Sequence, residues 1–499
     1  MDDKLNPGET QPVFDSHATP LPDNPDNASP EPSSLPNENL IPEEVPPEVV
    51  SATNEEATDQ GPNIPQEVPP PEDNRGKLIV LLVSGAVFVF FFLLIFRALF
   101  SGSRVKKPVA LLYWGLWEDK QIMDPLISDY ERKNPNIKIS YEKMSPQDYR
   151  EKLVARKTGG PDIFRFHNTW LPEIRELASP LPANIMSVTQ FEKTFYKIHQ
   201  RDLKVGKYYY GLPLMIDGLV LIVNDSLLKK AGVEKIPSTW DELLDAVVKL
   251  TVKENGGKLV TSGIAVGTAG NVDHFSDIFG LMLLQNGGDI RRLTAPEAVE
   301  ALQSYRKFAE APNNFWDESM PASTLAFAEE KTGMIIAPSW EIITVKTINP
   351  DIHLKVVPIP SVPGGKPVSL ASYWVEGVSR YSQNQIEAWK FLKYLSDKEN
   401  MTKLYENESK VRLFGEPYSR VDLGATLVQN EYIGTVIKQA DVYSSLPMIA
   451  RTYDHGLNDG VVQYIENAVN ATIQGVSYKE ALNTAQQGVT QLFKQYRVE

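Results

Sequence analysis

The sequence predicts an α/β fold preceded by a membrane-spanning helix and a disordered tail, and three observations carry that expectation. Leu78–Phe96 runs for 19 residues without a charge. Residues 1–74 concentrate the acid and much of the proline of the chain. From Val109 onward, apolar runs suited to buried strands alternate with amphipathic helical segments, the order that builds a parallel sheet covered by helices.

Residues 1–74 hold 17 Asp and Glu against one Lys, together with 16 prolines and almost no aromatics. Such a segment buries too little apolar area to offset its ordering entropy, so residues 1–76 are expected to be disordered, with polyproline-like patches. It reads as a solubilising spacer; the other reading is a docking strap for a cytoplasmic partner, although no single PxxP-type site stands out. Of the 64 acidic and 50 basic residues in the whole chain, this leaves 47 and 49 in the other 425, close to neutrality. Basic residues there are scattered rather than gathered with aromatics, which sets nucleic acid aside as a partner. The absence of cysteine excludes thiol catalysis, disulfides, cysteine-ligated zinc or iron–sulfur centres and a cysteine-linked lipid.

At ~1.5 Å rise per residue, Leu78–Phe96 makes a helix ~28 Å long, close to the ~30 Å hydrocarbon thickness of a bilayer. Its apolar residues run all round the helix, so residues 77–100 are expected to span the membrane and stay as an anchor rather than be removed as a signal peptide. The linker 101–107 reaches at most ~25 Å when extended, which would hold the folded part close to the bilayer. About 390 residues follow, enough for two or more lobes.

Val109–Tyr113 reads as the first buried strand. Gln121–Lys133 puts Ile122, Met123, Leu126, Ile127 and Tyr130 on one helical face, and Ile137, Ile139 and Tyr141 alternate as a second strand. A helix over Gln147–Lys157 and a strand over Asp162–Phe166 complete a β-α-β-α-β unit. Gly211 and Pro213 punctuate a strand pair within Tyr210–Asn224 that suits a crossing between lobes. A capping box of Thr239 with Glu242 opens a helix over Pro237–Leu250, with Trp240, Leu243, Leu244, Val247 and Val248 facing inward. A second box, Thr294 with Glu297 around Pro296, opens a helix to about Glu310. Met334–Ala337 and Leu354–Val357 read as strands. Helices over Gln385–Ser396, Leu457–Ile473 and Tyr478–Tyr496 close the chain, the last with Leu482, Ala485, Val489, Leu492, Phe493 and Tyr496 on one face.

Taken together, YWGLWEDK, DYERKNPNIKISYE, GGPDIFRF, YYYGLPLMIDGLVLIVNDSLLKKAGVEKIPSTWDELL, FAEEKTGMIIAPSW, KVVPIPSVPGGK and EAWKFLKYLSDKE resemble, in order and spacing, the extracellular solute-binding proteins of ABC importers, the maltose-binding-like family 1 group. The resemblance covers essentially all of residues 108–499 and implies a two-lobed periplasmic-binding-protein fold of type II. Lobe 1 would take approximately 108–214 and 358–410, and lobe 2 approximately 215–357 and 411–499, with Val357–Pro363 as the second crossing and a ligand enclosed between the lobes.

Ligands of open α/β sheets sit beyond the carboxyl ends of strands. Trp114, Trp117 and Glu118 follow the first strand there, offering flat faces and an acceptor, with at least one tryptophan expected in the cleft. The resemblance implies ligand contacts at Asn168 and Trp170 after the GGPDIF strand, beside His167, which reads as a satisfied structural histidine. Asp217 lies in the implied hinge, as a ligand acceptor or as the turn residue before Gly218. Trp340 matches the family's aromatic platform on the second lobe. Tyr373 and Trp374 resemble another binding position, with at least one of them packing in the core. His274 and Tyr453 are further, weaker candidates. Aromatics outnumber charges in these loops, which favours an oligosaccharide and also suits a peptide.

No GxSxG, HExxH, Walker A or GxGxxG occurs, so catalysis, a catalytic residue and a cofactor are not expected. A glycoside hydrolase pairing Glu118 or Asp217 with Glu376 is the enzymatic alternative. No metal site is expected either: Asp273–His274 with Asp277, and Asp454–His455 with Asp459, read as solvated turns. The expected partners are a small-molecule ligand, the permease subunits of an ABC transporter, and the membrane through one helix; a ligand-sensing receptor is the third reading. Arg75 and Lys77 before the span are fewer than Arg97, Arg104, Lys106 and Lys107 after it, a bias that favours cytoplasmic lobes. A capture domain works only outside, so the expected topology is extracytoplasmic lobes and a cytoplasmic tail.

Overall fold

The computed structural model describes residues 83–93, 107–362, 364–365 and 367–498. The acidic tail, most of the linker and both ends of Leu78–Phe96 lie outside the described residues. The chain divides into two units, 1–101 and 102–499. In the first, residues 83–93 form one helix with every side chain exposed, including Phe88, Phe90, Phe91 and Leu93. Among the described residues, no helix is long and apolar enough to cross a membrane.

The second unit is built on two sheets. The larger one takes β1 (Val109–Gly115), β2 (Ile137–Lys143), β3 (Ile163–His167), the two-residue β4 (Leu212–Pro213) and β8 (Trp374–Val378) in the order β2-β1-β3-β8-β4. The β-α-β-α-β reading holds for β2-β1-β3, which are parallel, with Val109 opposite Ile137 and Tyr113 opposite Ile163. The sheet as a whole is mixed, because β8 runs antiparallel to both β3 and β4. The smaller sheet holds β5 (Leu219–Asn224) between β6 (Met334–Pro338) and β7 (Leu354–Val357), antiparallel throughout. Every residue of β5 is buried, as expected for a central strand read as a continuous apolar run.

Helices cover these sheets. α1 (Lys120–Lys133) buries Ile122, Met123, Leu126, Ile127 and Tyr130, the face read from the sequence. α2 (Tyr149–Ala155) is shorter than expected and follows a 3₁₀ turn at Pro146–Asp148. In α3 (Trp240–Leu250), Thr239 accepts from the Glu242 amide, while Glu242 reaches back to the Ser238 amide rather than to that of Thr239. Its buried face is Leu243, Ala246, Val247 and Leu250, and Val248 is exposed. At ~100° per residue, position 248 lies ~140° from 243, outside the stripe that 243, 247 and 250 share.

α4 (Phe275–Gln285) is buried over most of its length. α5 (Pro296–Arg306) lacks the expected capping box: its N-cap is Ala295, without a side-chain bond, and the helix ends before Glu310. A residue before proline is held extended, and Ala295 has φ −68° and ψ 151°, so the cap moves one residue past Thr294. α6 (Glu341–Ile348) follows Trp340, α7 (Gln385–Leu395) precedes α8 (Lys398–Ser409), and α9 (Leu457–Ile473) pairs with α10 (Tyr478–Tyr496) within their expected bounds. On α10, Leu482, Ala485, Val489 and Phe493 are buried, and Leu492 and Tyr496 pack at the margin.

The chain passes from the larger sheet to the smaller between β4 and β5, and returns between β7 and β8. The two passages touch where Gly218 bridges Ala371, and the Ser372 amide donates to the Asp217 carbonyl at 3.0 Å. A third passage joins them, Met215 bridging Tyr418 and the Ile216 amide donating to the Pro417 carbonyl at 2.9 Å. Gly218 is required by proximity: a Cβ there would lie 2.3 Å from the Leu370 carbonyl oxygen and 2.5 Å from the Tyr443 ring. Gly211, before β4, holds φ +105°, a conformation other residues avoid.

The Gly218→Ala variant is therefore expected to lose about 1–3 kcal/mol of stability in urea unfolding, because neither backbone can retreat. A variant as stable as the parent chain would show that these passages are not closely packed.

Candidate ligand-binding cleft

The passages between the sheets floor a cavity of about 340 Å³. Met215 and Asp217 come from the first crossing and Ser372 from the second, with Trp374 at the start of β8. Trp117, His167, Arg412, Phe414, Glu416 and Pro417 line it beside the larger sheet, and Ser339, Trp340, Ile343, Thr344 and Ala450–Tyr453 beside the smaller.

One wall is aromatic and internally braced. The Trp374 ring meets Trp117 at 5.4 Å, His167 at 5.2 Å and Trp170 at 5.4 Å, each nearly edge to face. Trp117, Trp374 and His167 line the cavity, whereas Trp170 is wholly buried behind them. His167 faces the cavity as a neutral ring, because burial pushes it down to about 3, with Asp454 only partly opposing. Its Nδ1 contacts Thr169 Oγ1 at 2.8 Å and its Nε2 contacts Ser372 Oγ at 3.2 Å.

Trp340 stands on the facing wall, carried by the turn between β6 and α6. Asp217 fixes that turn: its Oδ1 accepts from the Gly218 and Ser339 amides at 2.7 and 3.2 Å, and its Oδ2 from Ser339 Oγ at 2.9 Å. Burial pushes the carboxyl up to about 6, against the pull of these hydrogen bonds. Behind Trp340, the His274 ring lies 5.5 Å away. Burial alone would lower His274, but the Asp277 carboxylate 3.8 Å from Nδ1 and Glu341 Oε1 3.1 Å from Nε2 override it and raise it to about 9. Arg451, on the cavity, donates to Glu341 Oε1 at 2.7 Å and pairs with Asp273.

Trp117, Asp217, Trp340, Trp374, His167 and Tyr453 thus come together at one cavity. Seven other candidates do not line it. Trp114 packs in the core, its Nε1 donating to Glu142 and the Arg156 guanidinium lying over its ring. Glu118 is buried in an ion pair with Arg165 at 2.5 Å. Trp170 supports Trp374 from within. Asn168 Nδ2 and Tyr373 Oη both donate to Asp202, at 2.9 and 2.8 Å, which makes them structural. His274 braces Trp340 from behind. Glu376 bonds the same Arg165 at 2.6 Å, so the carboxylate pair of a hydrolase is turned into the core, not toward the cavity. The Asp273–His274–Asp277 and Asp454–His455–Asp459 stretches are not solvated turns either: His274, Asp277 and Asp454 are buried, and Asp454 accepts from the Gly456, Asn458 and Asp459 amides at the start of α9.

Arg412, Phe414, Glu416, Arg451 and Thr452 line the cavity without having been anticipated.

The family model of bacterial extracellular solute-binding proteins matches residues 114–402. The chain belongs to that family. A putative binding protein of Brucella abortus is 24% identical over 296 residues, covering 56% of this chain and 69% of its own. The diacetylchitobiose-binding protein of Streptomyces coelicolor is 27% identical over 293 residues, 55% of this chain and 65% of its own. A solved cyclo/maltodextrin-binding protein complexed with maltotetraose superposes with a TM-score of 0.64 at 20% identity, covering 79% of this chain and 99% of that one. The fold is therefore the α/β fold of the type II sugar-binding proteins. The relatives named here are binding proteins, and the expectation of capture without catalysis agrees with them.

A solute-binding protein that keeps Asp217 buried should show it in its pH dependence. A carboxyl raised from about 3.8 to about 6 stabilises the fold fully below the lower value and loses that contribution as pH rises through the higher. Between pH 4 and 7.5, the stability of the parent chain is expected to fall by 1–3 kcal/mol relative to Asp217→Asn, whose amide keeps the bonds to Ser339. A difference constant across that range in urea titrations would refute the assignment.

Proposed function

We propose that this solute-binding protein is tethered to the membrane, captures an oligosaccharide in the cleft between its sheets, and delivers it to the membrane subunits of an ABC importer. The observation that carries the carbohydrate reading is the opposition of tryptophans across the cavity, Trp117 and Trp374 facing Trp340. Indole faces cover the C–H faces of sugar rings, while the half-buried Ser372 supplies a hydroxyl partner between them. The diacetylchitobiose-binding relative and the maltotetraose complex support the same substrate class. Ligand touching both walls would favour the closed arrangement of two lobes hinged at the passages near Gly218, and that arrangement is the one presented to the importer.

Leu78–Phe96 is the tether. Supporting this are its 19 uncharged residues and the exposed apolar side chains of the helix over 83–93, which a bilayer would cover. The binding domain lies outside the cell and the acidic tail in the cytoplasm, because capture requires access to external solute.

Calorimetry with a panel of malto- and chito-oligosaccharides, with peptides as controls, tests the cleft. Trp340→Ala is expected to weaken the best sugar at least about tenfold, the loss of one stacking face, with little change in stability. Unchanged affinity removes Trp340 from the site, and binding of peptides alone sinks the carbohydrate reading. Protease treatment of intact cells is expected to digest residues 108–499; protection of that region would overturn the topology.

A further inference from the structure

Behind the cavity wall that Arg412 and Glu416 share, four carboxylates meet two guanidiniums. Glu118, Glu376, Glu408 and Glu416 surround Arg165 and Arg412, so the fully ionised group carries two surplus negative charges. The group is buried: Glu118, Glu376 and Glu408 are each 1% exposed. Surplus charge there is costly unless something of opposite sign completes it.

The orientation of the carboxylates says where the completing charge belongs. Glu118 gives Oε2 to Arg165 at 2.5 Å, and Glu408 gives Oε2 to Arg412 at 3.0 Å and to the Glu416 amide at 2.7 Å. Their other oxygens, Glu118 Oε1 and Glu408 Oε1, are buried without a hydrogen-bond partner. Glu416 Oε1 stands 3.7 Å from Arg412, beyond hydrogen-bond length. Carboxylate oxygens of Glu118, Glu408 and Glu416 lie within 4.8 Å of one another. Oxygens sharing one Ca²⁺ at ~2.3–2.6 Å span up to about 5 Å, and Ca²⁺ tolerates irregular oxygen cages that Mg²⁺, with its strict octahedron and reluctance to lose water, does not.

We propose that Glu118, Glu408 and Glu416 form a binding site for a divalent cation of the Ca²⁺ class, whose two charges balance the surplus. The donors are all hard oxygens, which selects Ca²⁺ over zinc or copper. Arg165 and Arg412 are then outer partners, ion-paired with Glu118 Oε2 and Glu408 Oε2 beside the ion. Ca²⁺ takes about six to eight oxygens, and water reaches the remaining positions past Glu416 from the cavity. A bound ion would fix Arg412 and Glu416, and with them part of the cleft wall.

The full-length chain, purified in mild detergent and stripped with chelator, provides the test. Ca²⁺ at about a hundred times its Kd is expected to raise Tm by about 3 °C or more, with a smaller effect of Mg²⁺. Tb³⁺, used as a luminescent probe of Ca²⁺ sites, is expected to emit on excitation of nearby aromatics, since Tyr141 Oη donates to the Glu118 carbonyl at 2.7 Å. Both signals should be lost in Glu408→Gln and strongly weakened in Glu416→Gln, the less buried of the two, which keeps the site testable if the first variant fails to fold. No Tb³⁺ emission and no Ca²⁺-dependent shift would overturn the proposal, leaving protons to neutralise the surplus. Signals that persist undiminished in the variants would overturn the location.

Discussion

The carboxylate of Asp217 ties the backbone that crosses between the sheets to the turn that presents Trp340. It accepts from Gly218 on the crossing and from both the amide and the hydroxyl of Ser339. A carboxylate with no solvent around it persists only if such donors are supplied, and here they come from two segments more than a hundred residues apart in sequence. The position of Trp340 relative to the floor of the cavity is thereby set by hydrogen bonding in the core. Gly218 makes the arrangement possible, because the crossing backbones approach so closely that no side chain fits between them.

Buried charge braces the rest of the cleft. On one side, Arg165 of β3 bonds Glu376 of β8, two residues after Trp374, and locks the strands that carry the tryptophan wall. On the other, protonated His274 and Arg451 converge on Glu341 at the start of α6, directly after Trp340. The segment before α9 carries positive φ at Arg451, Tyr453 and His455, an arrangement that costs energy in residues with a Cβ. It is held by the Arg451 ion pairs and by Asp454, whose carboxylate collects three amides at the helix start. Walls fixed in this way need little ordering when a ligand arrives, which favours affinity.

Much of this organisation was legible in the chain. Periodicity located α1, α9 and α10, because their buried faces repeat at helical spacing over several turns. The crossing was legible from Gly211 and Pro213, and Trp117, Asp217, Trp340 and Trp374 all face the cavity. Trp114, only three residues from Trp117, does not. On β1 its side chain is directed into the core beside Tyr149, and no local pattern separates the two indoles. Asn168 and Tyr373 were equally ambiguous, since Asp202, the partner that claims both, lies far from each in sequence.

Composition and local spacing by themselves determined the acidic tail, the uncharged stretch before the folded region, the strand and helix succession, and the aromatic character of the site. These properties depend on residues within a turn or two of each other, so the chain displays them directly. Tertiary structure alone decided that β8 inserts antiparallel beside β3 and that Arg412, Glu416 and Arg451 reach the cleft. It also decided that Glu118 and Glu376 turn inward onto one arginine. Those outcomes follow from which distant segments share a buried volume, and in that volume a charge must find its partner wherever the chain has brought one.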